Sequence, residues 1–248
     1  MTILRKVLSC GCAGALLAVA VRYVGAPDAG TQFSEFMLAV QVVRSGEFVN
    51  RSPALSMTLG GADELPFGPL SFDLDGMDGF VVADPLAFRA VSVASTGQVK
   101  EVWPIGFSVD RVRWLDQNSV LVRDAVSRDA YVVQRDKPVQ RLDSPFPDDP
   151  PYPRSGQEHE RRLLGLWSLS INPPCVVAEF EGSKQDIRIR RTVRYLNSSG
   201  RQVHALDQFE SDQFLPMEDD IRVRGARVAQ LVSGPGTLRI RSWRMPLD

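Results

Sequence analysis

The sequence predicts an all-β protein: an antiparallel meander of blade-like hairpins followed by a β-sandwich-like C-terminal part. Three observations carry this expectation. Short apolar segments with period-two alternation recur from Gly79 onward. Turn formers punctuate them at regular intervals. Few segments show a 3.6-residue apolar period.

The first hairpin signal is Phe88 to Ala94 and Val99 to Trp103 around Ser95-Thr96-Gly97-Gln98, where Gly97 supplies the positive φ that a tight turn demands. Before it, Phe80-Val81-Val82 is a short apolar run ending at Asp84-Pro85. Next, Arg111 to Leu115 leads through Asp116-Gln117-Asn118 to Ser119–Arg123, then Ala130–Gln134, the turn Asp136-Lys137-Pro138, and Val139–Leu142. Over about 35 residues this order resembles one blade of a β-propeller. A full propeller needs at least about four blades, and Pro53 to Gly79, rich in Gly, Pro and Asp, reads as irregular. Thr31 to Val43 fits a strand or a short helix. Leu163–Ile171, Val176–Glu181, two hairpins around Asn197–Gly200 and Ser233–Gly236, and the strands that flank them complete the expected sandwich.

The expected organisation is a signal peptide at 1–26, an N-terminal β-rich part at 27–142, a Pro-rich linker at 143–156 and a C-terminal domain at 157–248. Arg5 and Lys6 precede the charge-free apolar run Val7–Val21, and Ala18-Val19-Ala20 and Val24-Gly25-Ala26 are small-x-small cleavage sites. The apolar run is short for a membrane span of about 20 residues. A periplasmic or secreted product is expected. The alternatives are a retained N-terminal anchor, or lipidation at Cys10, which the position of the apolar run after that residue disfavours. Once the leader is removed, Cys175 is the one thiol left, a small buried hydrophobe by its neighbours. The linker coincides with a change of charge: residues 28–150 carry a net −7, residues 151–248 a net +3, and the whole chain −1. A balance so near zero gives no field to steer the protein to nucleic acid.

The candidate binding residues are arginines alternating with apolar residues: Arg188, Arg190 and Arg194 on one predicted strand, Arg222 and Arg224 on a second, and Arg239, Arg241 and Trp243 on a third. If these strands share a sheet, they make an arginine face for an acidic protein or glycan partner, since guanidinium forks grip carboxylates and stack on aromatics. The alternative is an ordinary solvated face.

Other constellations are weaker. Asp73 and Asp75 have calcium-loop spacing, but Met77 and Asp78 stand where a ligand and a Gly belong. Glu179 and Glu181 lie two apart on one strand, within the span of glycosidase carboxylates. His159 and His204 have no partner at zinc-ligand spacing, and G-x-S-x-G, S-x-x-K, P-loop and G-x-G-x-x-G patterns are missing. No metal or cofactor is expected. The sequence points to an exported, non-enzymatic binding module of the bacterial cell envelope, of inhibitor or accessory type. An envelope hydrolase using carboxylates from different strands, or a structural domain without a specific ligand, are the alternatives.

Overall fold

The structure is a computed structural model that describes residues 31–44, 53–61, 63–147, 156–158, 161–181, 189–210, 213–215 and 219–246. The expected signal peptide, the core of the linker, His159 and Arg188 lie outside these residues. Among the described residues no helix is long and apolar enough to cross a membrane.

The elements are β1 (Gln32–Leu38), β2 (Val40–Val42), β3 (Leu55–Met57), β4 (Phe72–Leu74), β5 (Phe80–Asp84), β6 (Arg89–Val93), β7 (Val99–Pro104), β8 (Val109–Asp116), β9 (Ser119–Asp124), β10 (Ala130–Gln134) and β11 (Gln140–Arg141). They continue with β12 (Gly156–Glu158), β13 (Arg161–Ile171), β14 (Pro174–Glu181), β15 (Ile189–Leu196), β16 (Gln202–Leu206), β17 (Ile221–Arg224), β18 (Arg227–Gly234) and β19 (Thr237–Arg244). The all-β class and the antiparallel meanders are as expected. Three sheets run in chain order, β4 to β7, β8 to β11 and β12 to β16. The fourth is β17-β18-β19 with β1 from the other end of the chain at its edge, Phe33 opposite Trp243 and Phe36 opposite Ile240. We call it the closing sheet. A short parallel pair, β2 with β3, stands beside it.

Packing corrects the expected sandwich. The closing sheet is apolar on both faces, because alternate residues go to different neighbours. Phe36, Ala229, Leu231, Leu238 and Ile240 pack with Phe72, Phe80, Val82 and Val91 of the β4–β7 sheet. Phe33, Val228 and Trp243 pack with Cys175, Val177, Val193 and Tyr195 of the β12–β16 sheet. The β4–β7 sheet uses its other face, Val81, Ala83, Ala90 and Trp103, against Val112, Val120 and Val122 of the β8–β11 sheet. The four sheets therefore stack side by side, and no two of them form an isolated sandwich. Phe80-Val81-Val82-Ala83 is a continuous apolar run for the same reason: β5 is covered on both sides.

Turn chemistry sets the strand ends. Gly97, at φ 83°, closes the β6–β7 turn with its N–H on the Ala94 carbonyl at 2.9 Å. The stretch Ile221 to Val232 that leads into the Ser233–Gly236 turn is two strands and not one, because Gly225 takes φ 56° and turns β17 into β18. Buried ion pairs lock further junctions. Asp84 meets Arg89 Nε at 2.9 Å and accepts the Ser56 N–H at 3.3 Å, which ties β3 to β5 and β6. Asp110 takes Arg123 on both oxygens, at 2.9 and 2.7 Å. The Tyr195 hydroxyl donates to the Gly225 carbonyl at 3.0 Å, joining the β12–β16 sheet to the closing sheet.

Candidate functional site

Register decides where the predicted arginines stand, because residues directly opposite in a ladder share a face. Arg222 is opposite Ala229, which is opposite Ser242. Arg241 is opposite Gln230, which is opposite Ile221. Arg222 and Arg224 thus face the β4–β7 sheet, while Arg239, Arg241 and Trp243 face the β12–β16 sheet. Arg190 and Arg194 lie on a third surface, the side of β15 turned away from Val193 and Tyr195 and from the closing sheet they pack against. The expected arginine face is divided among three surfaces.

Trp243 is 1% exposed, wedged between Phe33 at 5.3 Å and Phe209 at 5.2 Å. Arg241 lies against the rings of Phe33 and Trp243, at 5.4 and 5.1 Å, and donates to the Gln208 carbonyl at 2.7 Å. Burial pulls its guanidinium below the ordinary value, against the opposing pull of Glu210 and Glu35. Arg239 pairs with Glu210, and Arg194 covers the Phe180 ring at 5.2 Å. Arg239 and Arg241 thereby tie the closing sheet to the segment that follows β16, while Arg194 stays within its own sheet.

Arg222 and Arg224 enter a different assembly. Here β4, β8 and β17, edge strands of three sheets, approach one another and exchange side-chain bonds. Asp219, just before β17, receives both Arg113 of β8 and Arg222 of β17. Arg222 also donates from Nε to the Phe72 carbonyl of β4 at 3.0 Å. Asp73 of β4 accepts the Trp114 N–H of β8 at 2.8 Å and meets Arg224 at 3.5 Å. Ser71 accepts the Val112 N–H at 3.3 Å. The cluster is Asp73, Arg113, Asp219, Arg222 and Arg224. Its inner members are nearly covered, and the Arg224 side chain is 40% exposed. The sequence marked Asp73 only by its calcium-loop spacing, and Arg113 and Asp219 were missed because the pair they form joins segments about a hundred residues apart. The alternation of Arg111 and Arg113 with Val112 was the one local signal.

The acidic turn after β4 is closed internally. Asp75 Oδ1 accepts the N–H groups of Met77 at 2.9 Å and Gly79 at 2.8 Å. Arg227 donates to the carbonyls of Asp75, Met77 and Gly79, so a guanidinium stands where a cation would draw on those oxygens. Burial lowers the pKa of Arg227, and Asp75 and Asp78 oppose that shift. Among the described residues no group of three or more His, Cys, Asp and Glu is placed to hold a metal ion.

The carboxylates considered for hydrolysis hold arginines. Glu179 meets Arg191 at 3.5 Å, and Glu181 meets Arg162 at 3.8 Å. Burial raises the Glu179 pKa, Arg191 opposes this, and nearby Asp220 adds to it. His204 stands opposite Tyr195 on β16. Cys175 is fully buried, and burial pushes its thiol up to about 12, far from nucleophilic use. Asn197 is a turn residue, its Oδ1 accepting the N–H groups of Ser199 and Arg201.

Two cavities stand out. One, of about 700 Å³ and wide open, lies between the tips Asp116–Asn118 and Gln134–Lys137. The other, of about 230 Å³, lies between the closing sheet and the β4–β7 sheet, with Ser34, Asp78, Ser95, Arg227 and Arg244 in its walls. Neither is lined by Glu179, Glu181 or His204.

No family model matches the chain, and no curated protein matches it. Among solved structures, a member of the DUF4221 family from Bacteroides vulgatus is 9% identical over 85% of this chain and 86% of that chain, at a TM-score of 0.36. BamB from Moraxella catarrhalis is 10% identical over 92% of this chain and 99% of that chain, at a TM-score of 0.32. Virginiamycin B lyase from Staphylococcus aureus is 6% identical over 92% of this chain and 100% of that chain, at a TM-score of 0.29.

Proposed function

We propose that the protein is an exported, non-enzymatic binding module of the bacterial cell envelope, and that its four sheets are the blades of a small propeller. In this reading the edge strands β4, β8 and β17 gather around a common axis, and the partner, a protein or a glycan, docks where they meet. The observation that carries the reading is the cluster of Asp73, Arg113, Asp219, Arg222 and Arg224, to which three sheets contribute. Mutual ion pairs hold its inner members rigid, and Arg224 stays 40% exposed with two contacts of 3.5 Å, to Asp73 and the Trp114 carbonyl. A guanidinium held on a rigid base and open to solvent suits an acidic group on a partner. Export rests on Arg5, Lys6 and the apolar run Val7–Val21. It implies a periplasmic or secreted product, or one held at the membrane by that segment. The inhibitor or accessory role is supported by where the polar groups are spent: Glu179 and Glu181 hold arginines and Cys175 is buried.

Capture from an envelope extract, and retention on immobilised envelope glycans, test the reading with wild type and Arg224→Glu side by side. The expected result is one partner class retained by wild type, released as salt is raised because exposed charge contacts are screened, and lost in the variant. Equal retention by both proteins would remove the cluster as the docking site. Turnover of a glycan or peptide by wild type would replace the binding reading with the hydrolase.

A further inference from the structure

We propose that the cavity of about 230 Å³ between the closing sheet and the β4–β7 sheet binds a carboxylate carried on a group the size of one amino-acid residue. The proposal does not use the Arg224 cluster, so either can fail alone.

The argument begins with a like-charge pair. Arg227 of β18 and Arg244 of β19 stand directly opposite each other and both line the cavity. Like charges placed opposite in a ladder repel, so negative charge between them is favoured. Each is only partly neutralised by the chain itself. The Arg227 hydrogen bonds go to main-chain carbonyls, and the Asp75 carboxylate is 3.8 Å away. Arg244 meets Asp78 at 3.0 Å, with the two side chains 57% and 70% exposed. An ion pair so open contributes little to stability and exchanges readily.

The class of ligand follows from charge and size. Asp75 and Asp78 already bring two negative charges to the two arginines, so a dianion would be repelled. A monoanion can take the place of Asp78 on Arg244 one for one, with both carboxylate oxygens in the guanidinium fork. The space is below the 300–1,000 Å³ or so of sites for drug-sized molecules, which limits the occupant to about one residue. Ser34, Ser95 and Ser242 line the walls together with Phe36 and Phe80, a mixed polar and apolar lining that suits an amide. The fit is to an acylated amino acid or to the C-terminus of a peptide, two sources of one chemistry.

The test titrates the full chain with N-acetylalanine, N-acetyl-dialanine and the amide of each, followed by calorimetry and by heteronuclear NMR. Arg244→Gln and Asp78→Asn are the variants, both at exposed side chains that leave the core intact. Saturable carboxylate binding is expected, with the amides and Arg244→Gln each weaker by about tenfold, the factor for a lost charge-assisted contact. Asp78→Asn should bind severalfold tighter, because it removes the internal competitor. A tighter dipeptide identifies a peptide terminus as the source, and equal affinities identify a small free acid. No saturable binding at millimolar ligand, amides that bind as well as acids, or weaker binding by Asp78→Asn would each overturn the proposal.

Discussion

Arg222 and Arg241 lie on opposite faces of one sheet. Arg222 stands in line with Ala229 and Ser242, Arg241 with Gln230 and Glu35. Their partners differ throughout: Asp219 and the Phe72 carbonyl for Arg222, and Glu35, Glu210 and the Phe33 and Trp243 rings for Arg241. Sites without shared partners add within about 0.3–0.5 kcal/mol. Urea unfolding of Arg222→Ala, Arg241→Ala and the double variant should therefore show additive losses. A coupling beyond about 1 kcal/mol would mean that the two arginines share a network.

Asp110 and Arg123 form a two-oxygen pair inside the β8–β11 sheet, with the Arg123 side chain 2% exposed. Asp110→Ala leaves the guanidinium inside without the carboxylate that faces it, and should cost about 3–5 kcal/mol. The joint replacement Asp110→Leu with Arg123→Met removes both charges and should cost less than Asp110→Ala. Chemical denaturation of the three proteins checks the order.

Burial of Glu179 sets the sign of a pH dependence. Its folded pKa is raised by burial, so the folded state holds the proton more tightly than the unfolded chain. Its contribution is fully favourable below the ordinary carboxylate value of 4.5 and is lost as pH rises through the folded pKa. Glu179→Gln removes that loss. The stability of the variant relative to wild type should therefore rise with pH from 4.5 upward and then level off. A difference that falls over that range would mean that Arg191 outweighs burial.

The Cys175 thiol, pushed up to about 12 by burial, should stay unalkylated at about pH 8, where a free thiol near 8.5 is partly ionised. It should react once the protein is unfolded. Peptide mapping by mass spectrometry reads Cys175 separately from Cys10 and Cys12. Rapid labelling of the native protein would show that the β14 side of the closing-sheet interface opens.

Local chemistry made much of the fold legible. The β8 to β11 meander was readable almost strand by strand, because Val112, Val120 and Val122 alternate cleanly and Asp116–Asn118 marks the turn. Other elements depend on contacts that a window of neighbours does not contain. β4 is three residues long in a Gly- and Asp-rich stretch, and what makes it a strand is β5 on one side and, on the other, the Trp114 N–H reaching the Asp73 side chain and the Val112 N–H reaching Ser71 just before the strand. The arginines of β19 alternate as a solvated face would, yet that face is covered by the β12–β16 sheet. Period-two alternation tells which residues share a side, and long side chains that bury their stems and pair their ends satisfy the same pattern inside a stack. The closing role of β1 was invisible because its partner β19 is about two hundred residues away.

Hydrogen exchange read by mass spectrometry is the most direct test that the two ends of the chain form one sheet. If β1 is the edge of the closing sheet, peptides covering Gln32–Leu38 and Thr237–Arg244 should exchange together, slowed alike, and become unprotected in the same step as denaturant is added. Exchange of Gln32–Leu38 at the rate of free chain while Thr237–Arg244 stays protected would contradict the shared sheet, and with it the side-by-side stacking on which the functional reading depends.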